Sequence, residues 1–576
     1  MFIRWHSTHF VFVVFALYIT PLPEIRPLTW RLNRIKILML YLTNKEGVNT
    51  KKGTYKEYIS NILPCVFYGI ICGVATGGFI FFFKWLSGKV EHISRFLYNL
   101  AKASPLYIVI TFAALILSGL LLYLLQSKIP EIKGGGIPRS EGVLRGVLSF
   151  KPIRTLIGTF FGSMIGFFAG VPLGCEGPAV LMGTCIGGIC INLSKNKTAW
   201  SRYVTSGGAG AGFAVATGAP LSGILFILEE VHKRFTPMLL LTVSSSVISA
   251  TLTNLLLCKA FGISSDFLQL GILKSFSLSD ILFLLFLGVI VGLAVGIFDG
   301  SIAIVNKFTK KLKKFLCPWM KLVIVFVVTG ILGFTLCEGL YSGHHVIADL
   351  VAGNKVLSIT VALLIARFIM MLLVTDSGVT GGIFIPTLTI GALIGTIAAK
   401  LFVAMGMDGE LYNSIILLSM CAFIGGTLRA PLTATVLFIE LTGQFTNLFY
   451  VALVVFSVYV VTNLLNQTPF YDIVLLGLEE QESNGKVYHE KLFCMKVQHG
   501  AFVIGKTVRD VMWPVSCVVL SVRRGEEEND IGNVGEKVLF ADDILMIKAK
   551  YSDEQELKNS LLGLVGKDSE ITVIEQ

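Results

Sequence analysis

The chain has 576 residues, of which 54% are hydrophobic and only 15% charged, and its mean hydropathy is +0.75. A soluble domain of this size does not have such a composition, which indicates a membrane protein. The net charge of +11 is not accompanied by a basic patch interleaved with aromatic residues on a soluble domain, so nucleic acid is excluded as a partner.

The first 58 residues are predicted to form a poorly defined N-terminal extension. An apolar run at residues 9–19 follows Arg4, but it is too short to span a bilayer. No small-residue cleavage site follows it. A peripheral extension, or a start codon placed too early upstream of Met39, is therefore preferred to a signal peptide.

Apolar runs of spanning length predict roughly ten or more membrane segments. Gly and Pro interrupt other apolar stretches, such as 205–229 and 411–440, and some of the resulting segments are expected to be too short to cross. The uninterrupted runs lie near residues 60–83, 106–125, 155–172, 238–258, 281–305, 321–337, 355–374 and 446–465.

The charges of the connecting segments predict the orientation. Basic residues cluster at 128–154, 233–234 and 307–321, and loops rich in Lys and Arg face the cytoplasm. The acidic or mixed loops at 266–280 and 338–349 suit the opposite face. We therefore expect a multi-pass protein of the plasma membrane with a cytoplasmic C-terminal domain.

Three Gly/Pro breaks inside long apolar stretches carry the strongest functional signal. They are Gly134 to Pro138, Gly174 to Pro178 and Gly382 to Pro386. In lipid an unpaired backbone N–H or C=O is costly, so unwound segments persist only where they line a cavity. Short broken helices that point their positive N-termini at one spot bind an anion. The sequence therefore predicts an ion site built at helix ends.

Two pairs of segments indicate an internal repeat. The glycine spacing from Pro178 to Gly187 recurs 208 residues later from Pro386 to Gly395. The sequence Ala219-Pro220-Leu221 through Glu229 recurs 211 residues later as Ala430-Pro431-Leu432 through Glu440. Proline pre-sets the first helical turn in both copies, and the two equivalent glutamates are predicted to be structural.

These motifs resemble those of the CLC family of chloride channels and chloride/proton exchangers over roughly residues 58–478. The family's Gly-Ser-Gly-Ile-Pro, Gly-Arg-Glu-Gly-Pro and Gly-x-Phe-x-Pro motifs, and a tyrosine at the start of the last membrane helix, correspond to Gly134 to Pro138, Gly174 to Pro178, Gly382 to Pro386 and Tyr471. The resemblance implies an α-helical polytopic fold with broken and re-entrant helices. It also implies a homodimer with one anion pathway per subunit, and a transmembrane domain at 59–478 with inverted repeat halves at about 59–258 and 278–478.

Two glutamates are the predicted proton groups. Glu176 matches the family's gating glutamate, whose carboxylate competes with the anion and swings away when protonated; a free carboxylate inside a membrane is a functional candidate by default. The simpler alternative is a helix-start charge that satisfies its own turn. Glu230 matches the internal proton glutamate of exchangers, which channels lack. Its alternative is a solvated helix-end charge paired with the basic run at 231–234.

The resemblance also implies an anion site made of backbone N–H groups and the Tyr471 hydroxyl. Gly135 stands where a chloride-selecting serine is common, and Cys175 replaces the usual arginine beside the gating glutamate. Pro178 is retained, whereas fluoride-exporting relatives usually change it, so chloride or a broader anion range ranks above fluoride. The predicted anion-binding residues are Gly135, Gly136, Ile137, Gly177, Ile383, Phe384, Ile385 and Tyr471.

Residues 479–576 predict a soluble α+β domain, because charges return and the apolar runs shrink to strand length. The segment from Ile504 to Val511, followed by Val518 to Arg524, resembles the TrkA-C (RCK C-terminal) module, although Asp542 stands where the module often has Gly. This resemblance implies a small regulatory ligand within 488–576. Strands are predicted at Leu492 to Val497, Ser516 to Val522, Lys537 to Phe540 and Ile544 to Lys548, with helices near Thr507 to Val511 and at Asp553 to Val565.

The predicted function is secondary transport of chloride, or a broader set of anions, against protons. A passive anion channel of the same fold, a fluoride/proton antiporter and a ligand sensor that has lost transport stay as alternatives. The eleven cysteines are scattered and predict small buried residues, not a metal site. An enzyme and a cofactor are not expected, because a nucleophile–base pair and a phosphate loop do not appear in the sequence.

Overall fold

The computed structural model describes residues 52–192, 197–263, 273–311, 317–353, 355–483, 489–514, 517–525, 531–551 and 553–574. Of the predicted N-terminal extension, residues 1–51 lie outside the described residues. Residues 52–58 already belong to the first helix.

The first half of the helical region contains eight described helices. Ile227–Val231 continues the seventh as one turn of π-helix. The helices are α1 (Lys52–Ala101), α2 (Pro105–Lys128), α3 (Ile137–Arg145), α4 (Pro152–Ala169), α5 (Glu176–Asn192), α6 (Lys197–Thr217), α7 (Pro220–Phe226) and α8 (Pro237–Phe261).

The second half is helical to the same extent in the part that the structure describes. Its helices are α9 (Ile281–Lys311), α10 (Pro318–Thr335), α11 (His344–Val351), α12 (Leu357–Ser377), α13 (Phe384–Ala404), α14 (Tyr412–Leu428), α15 (Pro431–Thr442), α16 (Leu448–Leu464) and α17 (Phe470–Ser483).

Ten described helices are long and apolar enough to cross a membrane, which confirms the predicted number. Others are too short, as expected: α5 has 17 residues and α15 has 12. Proline defines many helix starts, because its fixed φ suits the first turn and its missing N–H has no helical partner there. These prolines are Pro105, Pro152, Pro220, Pro237, Pro318 and Pro431.

The repeated glycines allow close contact between neighbouring helices in both halves. A Cβ added at Gly183 of α5 would lie 2.1 Å from the carbonyl oxygen of Gly208 in α6. A Cβ at its counterpart, Gly391 of α13, would lie 2.9 Å from the Cα of Met420 in α14. Small residues at such contacts let helix backbones approach in a membrane. The glycine spacing therefore reflects the same packing of two helix pairs.

The described part of the C-terminal region, within residues 489–574, contains one α-helix and a four-stranded antiparallel sheet. The strands lie side by side in the order Cys517–Arg523, Ile544–Tyr551, His489–Lys496 and Ile571–Ile574. The prediction of a strand at Lys537 to Phe540 is wrong: Val538 makes only an isolated bridge to Thr507. The predicted helix near Thr507 to Val511 is one short 3-10 turn, and the fourth strand was missed. The elements are β1 (His489–Lys496), β2 (Cys517–Arg523), β3 (Ile544–Tyr551), α18 (Glu554–Val565) and β4 (Ile571–Ile574).

Asp542 adopts a positive φ of 71° in the turn before β3. That backbone conformation is best suited to glycine, and aspartate tolerates it better than most residues. Aspartate at this position therefore fits the turn that the chain forms there. Lys496 and His499 lie beside the Asp542 carboxylate at 2.8 and 3.4 Å.

Candidate anion site and proton glutamates

The first and second halves meet at two of the Gly/Pro breaks. Gly174 and Gly382 form an antiparallel bridge: the N–H of Gly174 donates to the Gly382 carbonyl at 2.6 Å, and the N–H of Gly382 donates back at 2.8 Å. The remaining break, Gly134 to Pro138, also contacts the second half, since the Gly134 N–H donates to the Gly378 carbonyl at 3.0 Å. These bonds satisfy backbone groups that could not stay unpaired inside a membrane.

Glycine is required at this junction because backbone packs directly on backbone. A Cβ added at Gly177 would lie 1.8 Å from the Gly135 carbonyl oxygen. A Cβ at Gly136, whose φ is 81°, would lie 2.3 Å from the Gly177 carbonyl oxygen. By contrast, a Cβ at Gly135 would lie 3.3 Å from the flexible Ile383 side chain. Gly136 and Gly177 are therefore structural requirements, whereas Gly135 has room for a small side chain.

Three helices begin at this junction: α3 at Ile137, α5 at Glu176 and α13 at Phe384. The first N–H groups of a helix have no partner within it, and the helix dipole adds positive potential at that end. The predicted backbone residues Gly135, Gly136, Ile137, Gly177, Ile383, Phe384 and Ile385 all lie at these three starts or in the breaks just before them. The arrangement suits an anion.

The side chain of Glu176 is fully buried at the start of α5. Its Oε1 accepts a hydrogen bond from the Cys175 thiol at 3.3 Å. Its Oε2 has no hydrogen-bond partner among the described residues and packs over Gly174, where a Cβ would lie only 2.2 Å away. A carboxylate so placed occupies the positive end of the helix and keeps one oxygen unsatisfied.

Tyr471 is the second residue of α17 and is buried. Its hydroxyl has no hydrogen-bond partner among the described residues. The carboxylates of Glu230, Glu176 and Glu141 all act on this hydroxyl electrostatically. Because a buried hydroxyl without a partner is costly, Tyr471 is a donor available to a bound anion.

Glu230 lies in the π-turn after α7 and is only 2% exposed. The alternative of a solvated helix-end charge is therefore wrong. Arg145 fixes the turn: its Nε donates to the Val231 carbonyl at 3.0 Å and its Nη2 to the Glu230 carbonyl at 3.3 Å. The charges that act on the Glu230 carboxylate include Glu141 and Lys233.

Glu141 is a buried member of this site that sequence reasoning missed. It lies on α3 with Arg139 and Arg145, forms an ion pair with Arg145 and acts electrostatically on Glu230. The two arginines were assigned to a connecting segment, but they lie on this short helix, and Arg139 is buried. The spacing of four residues between Glu141 and Arg145 was the available signal, since such pairs face each other on a helix.

Glu229 and Glu440 have the structural role that the repeat predicts. Each carboxylate accepts two backbone N–H groups and one hydroxyl from the start of the other half's helix, at 2.6–2.9 Å. Glu229 therefore caps α15, and Glu440 caps α7. Their partners are Leu432 and Thr433 for Glu229, and Leu221 and Ser222 for Glu440.

Comparison with known proteins identifies the family. The family described as voltage gated chloride channel (CLC) matches residues 115–463. The chain belongs to the CLC family. It is also 29% identical to the H(+)/Cl(-) exchange transporter ClcA of Salmonella agona (strain SL483) over 377 residues. The aligned region covers 63% of this chain and 78% of the relative.

Solved CLC structures share the fold. A slow cyanobacterial Cl-/H+ antiporter matches with a TM-score of 0.66 and 25% identity, over 73% of this chain and 99% of that chain. A CLC-type fluoride/proton antiporter matches with a TM-score of 0.60 and 21% identity, over 71% and 97% of the two chains. At the latter identity the likeness concerns the fold alone.

Proposed function

We propose that the chain exchanges chloride for protons across the membrane. The observation that carries this proposal is that the carboxylates of Glu176 and Glu230 are both buried, together with a Tyr471 hydroxyl that has no hydrogen-bond partner among the described residues. The names of the relatives, an H(+)/Cl(-) exchange transporter and a Cl-/H+ antiporter, support it. The chain is a transporter and not an enzyme.

The anion binds where the starts of α3, α5 and α13 meet the Tyr471 hydroxyl. The helix starts supply unpaired N–H groups, and the tyrosine supplies one O–H donor. Backbone donors held by the Gly174–Gly382 bridge do not need to reorganise when the anion arrives. This site requires no metal or cofactor.

Glu176 links the anion to the proton. Its carboxylate is attracted by the same helix start that attracts chloride, so the carboxylate and the anion compete. Protonation removes the negative charge, and the neutral side chain leaves the place to chloride. Cys175 supplies a neutral thiol donor to the carboxylate, where the usual arginine of the family would supply a positive charge.

Glu230 hands protons between Glu176 and the cytoplasm. Its position in a buried turn, beside Glu141 and the ion-paired Arg145, supplies a charged network that leads toward the basic segment at Lys233. Channels of the family lack a carboxylate at this position. The presence of Glu230 therefore favours an exchanger over a passive channel.

The preferred anion is chloride or a broader set of anions. Gly135 supplies no hydroxyl at the place of the family's serine, so selectivity depends on backbone donors and Tyr471. Pro178 follows Glu176-Gly177 as in chloride-transporting members, which ranks chloride above fluoride.

The finer architecture completes the proposal. A transmembrane domain at 59–478, with halves at about 59–258 and 278–478, forms a homodimer in the plasma membrane. Residues 479–576 form a cytoplasmic TrkA-C-like domain that binds a small regulator within 488–576. The four-stranded antiparallel sheet and the positive φ of Asp542 support this assignment.

The test uses the full chain in liposomes with an outward chloride gradient. Valinomycin and equal potassium on both sides hold the voltage at zero while external pH is recorded. An exchanger moves protons inward as chloride leaves. The external pH therefore rises although no proton gradient is present at the start. Chloride efflux with constant external pH would establish a channel instead.

The matched variant is Glu176→Gln, which is neutral at every pH. We expect chloride efflux to persist, the external pH rise to disappear, and the efflux to become insensitive to pH. Wild-type proton coupling in this variant would contradict the assigned role of Glu176.

A further inference from the structure

A cavity of about 280 Å³ lies between the helical region and the C-terminal region. Its charged lining residues are Arg145, Arg202 and Arg234 from the helical region, and Arg509 and Asp510 from the C-terminal region. Ligand pockets in proteins start at about 300 Å³. The cavity lies just below that volume, so it is large for a monoatomic anion and suited to a ligand of a few heavy atoms.

The cavity is held in place by bonds between the two regions. Arg202 Nη1 donates to the Trp513 carbonyl at 2.5 Å, and the Tyr203 hydroxyl donates to the Asp510 carbonyl at 3.2 Å. The rings of Tyr203 and Phe502 also pack at a centroid distance of 5.9 Å. These contacts fix the segment that contains Arg509 against α6.

The charges of the lining residues do not balance. Arg145 is already paired with Glu141 and lies 3.6 Å from Asp472. Arg234 and Arg509 are exposed and form no ion pair with any residue that the structure describes. Asp510 is the single carboxylate among the described lining residues. Two guanidinium groups, one from each region, are therefore available to a ligand.

We infer that this cavity binds a phosphate-bearing ligand, held between Arg234 and Arg509. The planar guanidinium fork matches an anion with several oxygens and binds it through paired N–H donors, unlike a spherical chloride ion. The phosphate belongs either to a soluble metabolite or to a lipid headgroup. The ligand bridges the two regions.

The ligand would act close to Glu230. Arg145 lines the cavity and also donates to the Glu230 and Val231 carbonyls. The backbone N–H of Arg234 donates to the Leu228 carbonyl at 2.9 Å, which ties this arginine to the same π-turn. Binding is independent of the proposed transport function, so the two can fail separately.

The test measures pyrophosphate binding by calorimetry to the full chain in phosphatidylcholine nanodiscs at constant chloride. Saturable binding is expected. Arg234→Gln and Arg509→Gln should each weaken it about tenfold, because each removes charge-assisted hydrogen bonds. Arg523→Gln is the control, since Arg523 is also exposed but does not line the cavity. The affinity of this variant for pyrophosphate should stay within about twofold of that of the wild type.

A second arm distinguishes the sources of the phosphate. If a lipid headgroup fills the cavity, nanodiscs that contain phosphatidic acid will weaken pyrophosphate binding to the wild type, and the Arg234→Gln/Arg509→Gln double variant will remove this competition. If a soluble metabolite is the ligand, the lipid will have no effect. Absence of saturable binding in phosphatidylcholine, or equal affinity in wild type and both arginine variants, would overturn the inference.

Discussion

The buried or half-buried carboxylates of Glu176, Glu229, Glu230 and Glu440 divide into two kinds. Glu229 and Glu440 each receive three hydrogen bonds from the opposite half. Glu176 receives a thiol and keeps one oxygen without a partner among the described residues, and Glu230 lies in a buried turn among other charges. The first kind is fully hydrogen-bonded and stabilises the fold, whereas the second kind lacks such a set of donors, as the proposed proton groups require.

The internal repeat duplicates the helix starts and the capping glutamates, but it does not duplicate Glu176 and Glu230. The offset of 208 residues that relates Pro178 to Pro386 also relates Glu176 to Phe384, and the offset of 211 relates Glu230 to Leu441. The second half therefore carries an apolar residue at both positions. Both glutamates proposed to carry protons therefore lie in the first half, whereas the second half carries the Glu440 cap and the start of α13.

The largest expected effect comes from breaking the backbone contact between the first two Gly/Pro breaks. Gly177→Ala places a Cβ 1.8 Å from the Gly135 carbonyl oxygen, so the first and second breaks must separate. We expect chloride flux to fall to the level of empty liposomes. Gly135→Ala is the control, because its Cβ would lie 3.3 Å from the Ile383 side chain and 3.7 Å from the Gly381 carbonyl oxygen, without a backbone clash. Wild-type flux in Gly177→Ala would show that this junction does not form the pathway.

Removing the carboxylate of Glu230 should uncouple chloride transport from proton transport. In Glu230→Gln we expect proton movement to fall below detection while chloride flux persists, because the amide cannot release a proton. The measurement is external pH recorded together with chloride efflux. Glu440→Gln serves as the comparison, since a capping glutamate should leave the ratio of protons to chloride unchanged in folded protein. Unaltered coupling in Glu230→Gln would refute its role.

Weakening either helix cap should lower the free energy of unfolding by a similar amount. Glu229→Gln and Glu440→Gln each lose charge-assisted hydrogen bonds, and we expect each to destabilise the protein by about 1–3 kcal/mol. Thermal unfolding in detergent measures the effect. Because the two bond sets are equivalent, a large difference between the two variants would show that the repeat symmetry does not extend to their energetics.

Lys506 extends the comparison to an incompletely satisfied cation in the C-terminal region. The side chain is 3% exposed, and its ammonium group donates to the Phe502 carbonyl at 2.7 Å. Burial lowers the pKa of Lys506 to about 7, and the negative charge of the neighbouring Asp510 carboxylate opposes this shift.

The unfolded chain keeps Lys506 protonated up to pH ~10, so between pH 7 and ~10 it binds more protons than the folded chain. Stability should therefore rise with pH in this window, by at most about 1.4 kcal/mol per pH unit. Lys506→Met should flatten the dependence, and exposed Lys567→Met should preserve it. Unfolding midpoints across this range provide the measurement. An unchanged slope in Lys506→Met would assign the effect to another group.

The smallest expected effect is a change of anion preference. Gly135→Ser restores a hydroxyl donor near the helix starts, and the 3.3 Å distance to Ile383 requires only a small shift of that side chain. One hydrogen bond corresponds to a change of about two- to tenfold in chloride preference. Relative efflux of chloride and nitrate measures it, with Gly135→Ala as control. An unchanged anion ranking would remove Gly135 from the selectivity argument.

Much of the fold follows from local sequence. Apolar length determines which helices can cross a bilayer, and proline determines where many of them start. The repeat was readable because helix packing and helix starts demand small residues and proline at fixed positions, as from Pro178 to Gly187. The strand at Ile571–Ile574 was missed, and Lys537 to Phe540 was wrongly assigned, because short apolar runs do not reveal which neighbour they pair with.

From the sequence, the resemblance to the CLC family predicted Glu176, Glu230 and Tyr471 as site residues, and Glu176 is also a carboxylate inside an apolar stretch. Tertiary structure alone decided how they relate. The bridge between Gly174 and Gly382 joins residues 208 positions apart. The adjacent glutamates lie in different environments: Glu229 caps the start of α15, whereas Glu230 lies in a buried turn. The physical reason is that satisfaction of a carboxylate depends on which distant N–H groups reach it, and no local pattern encodes that.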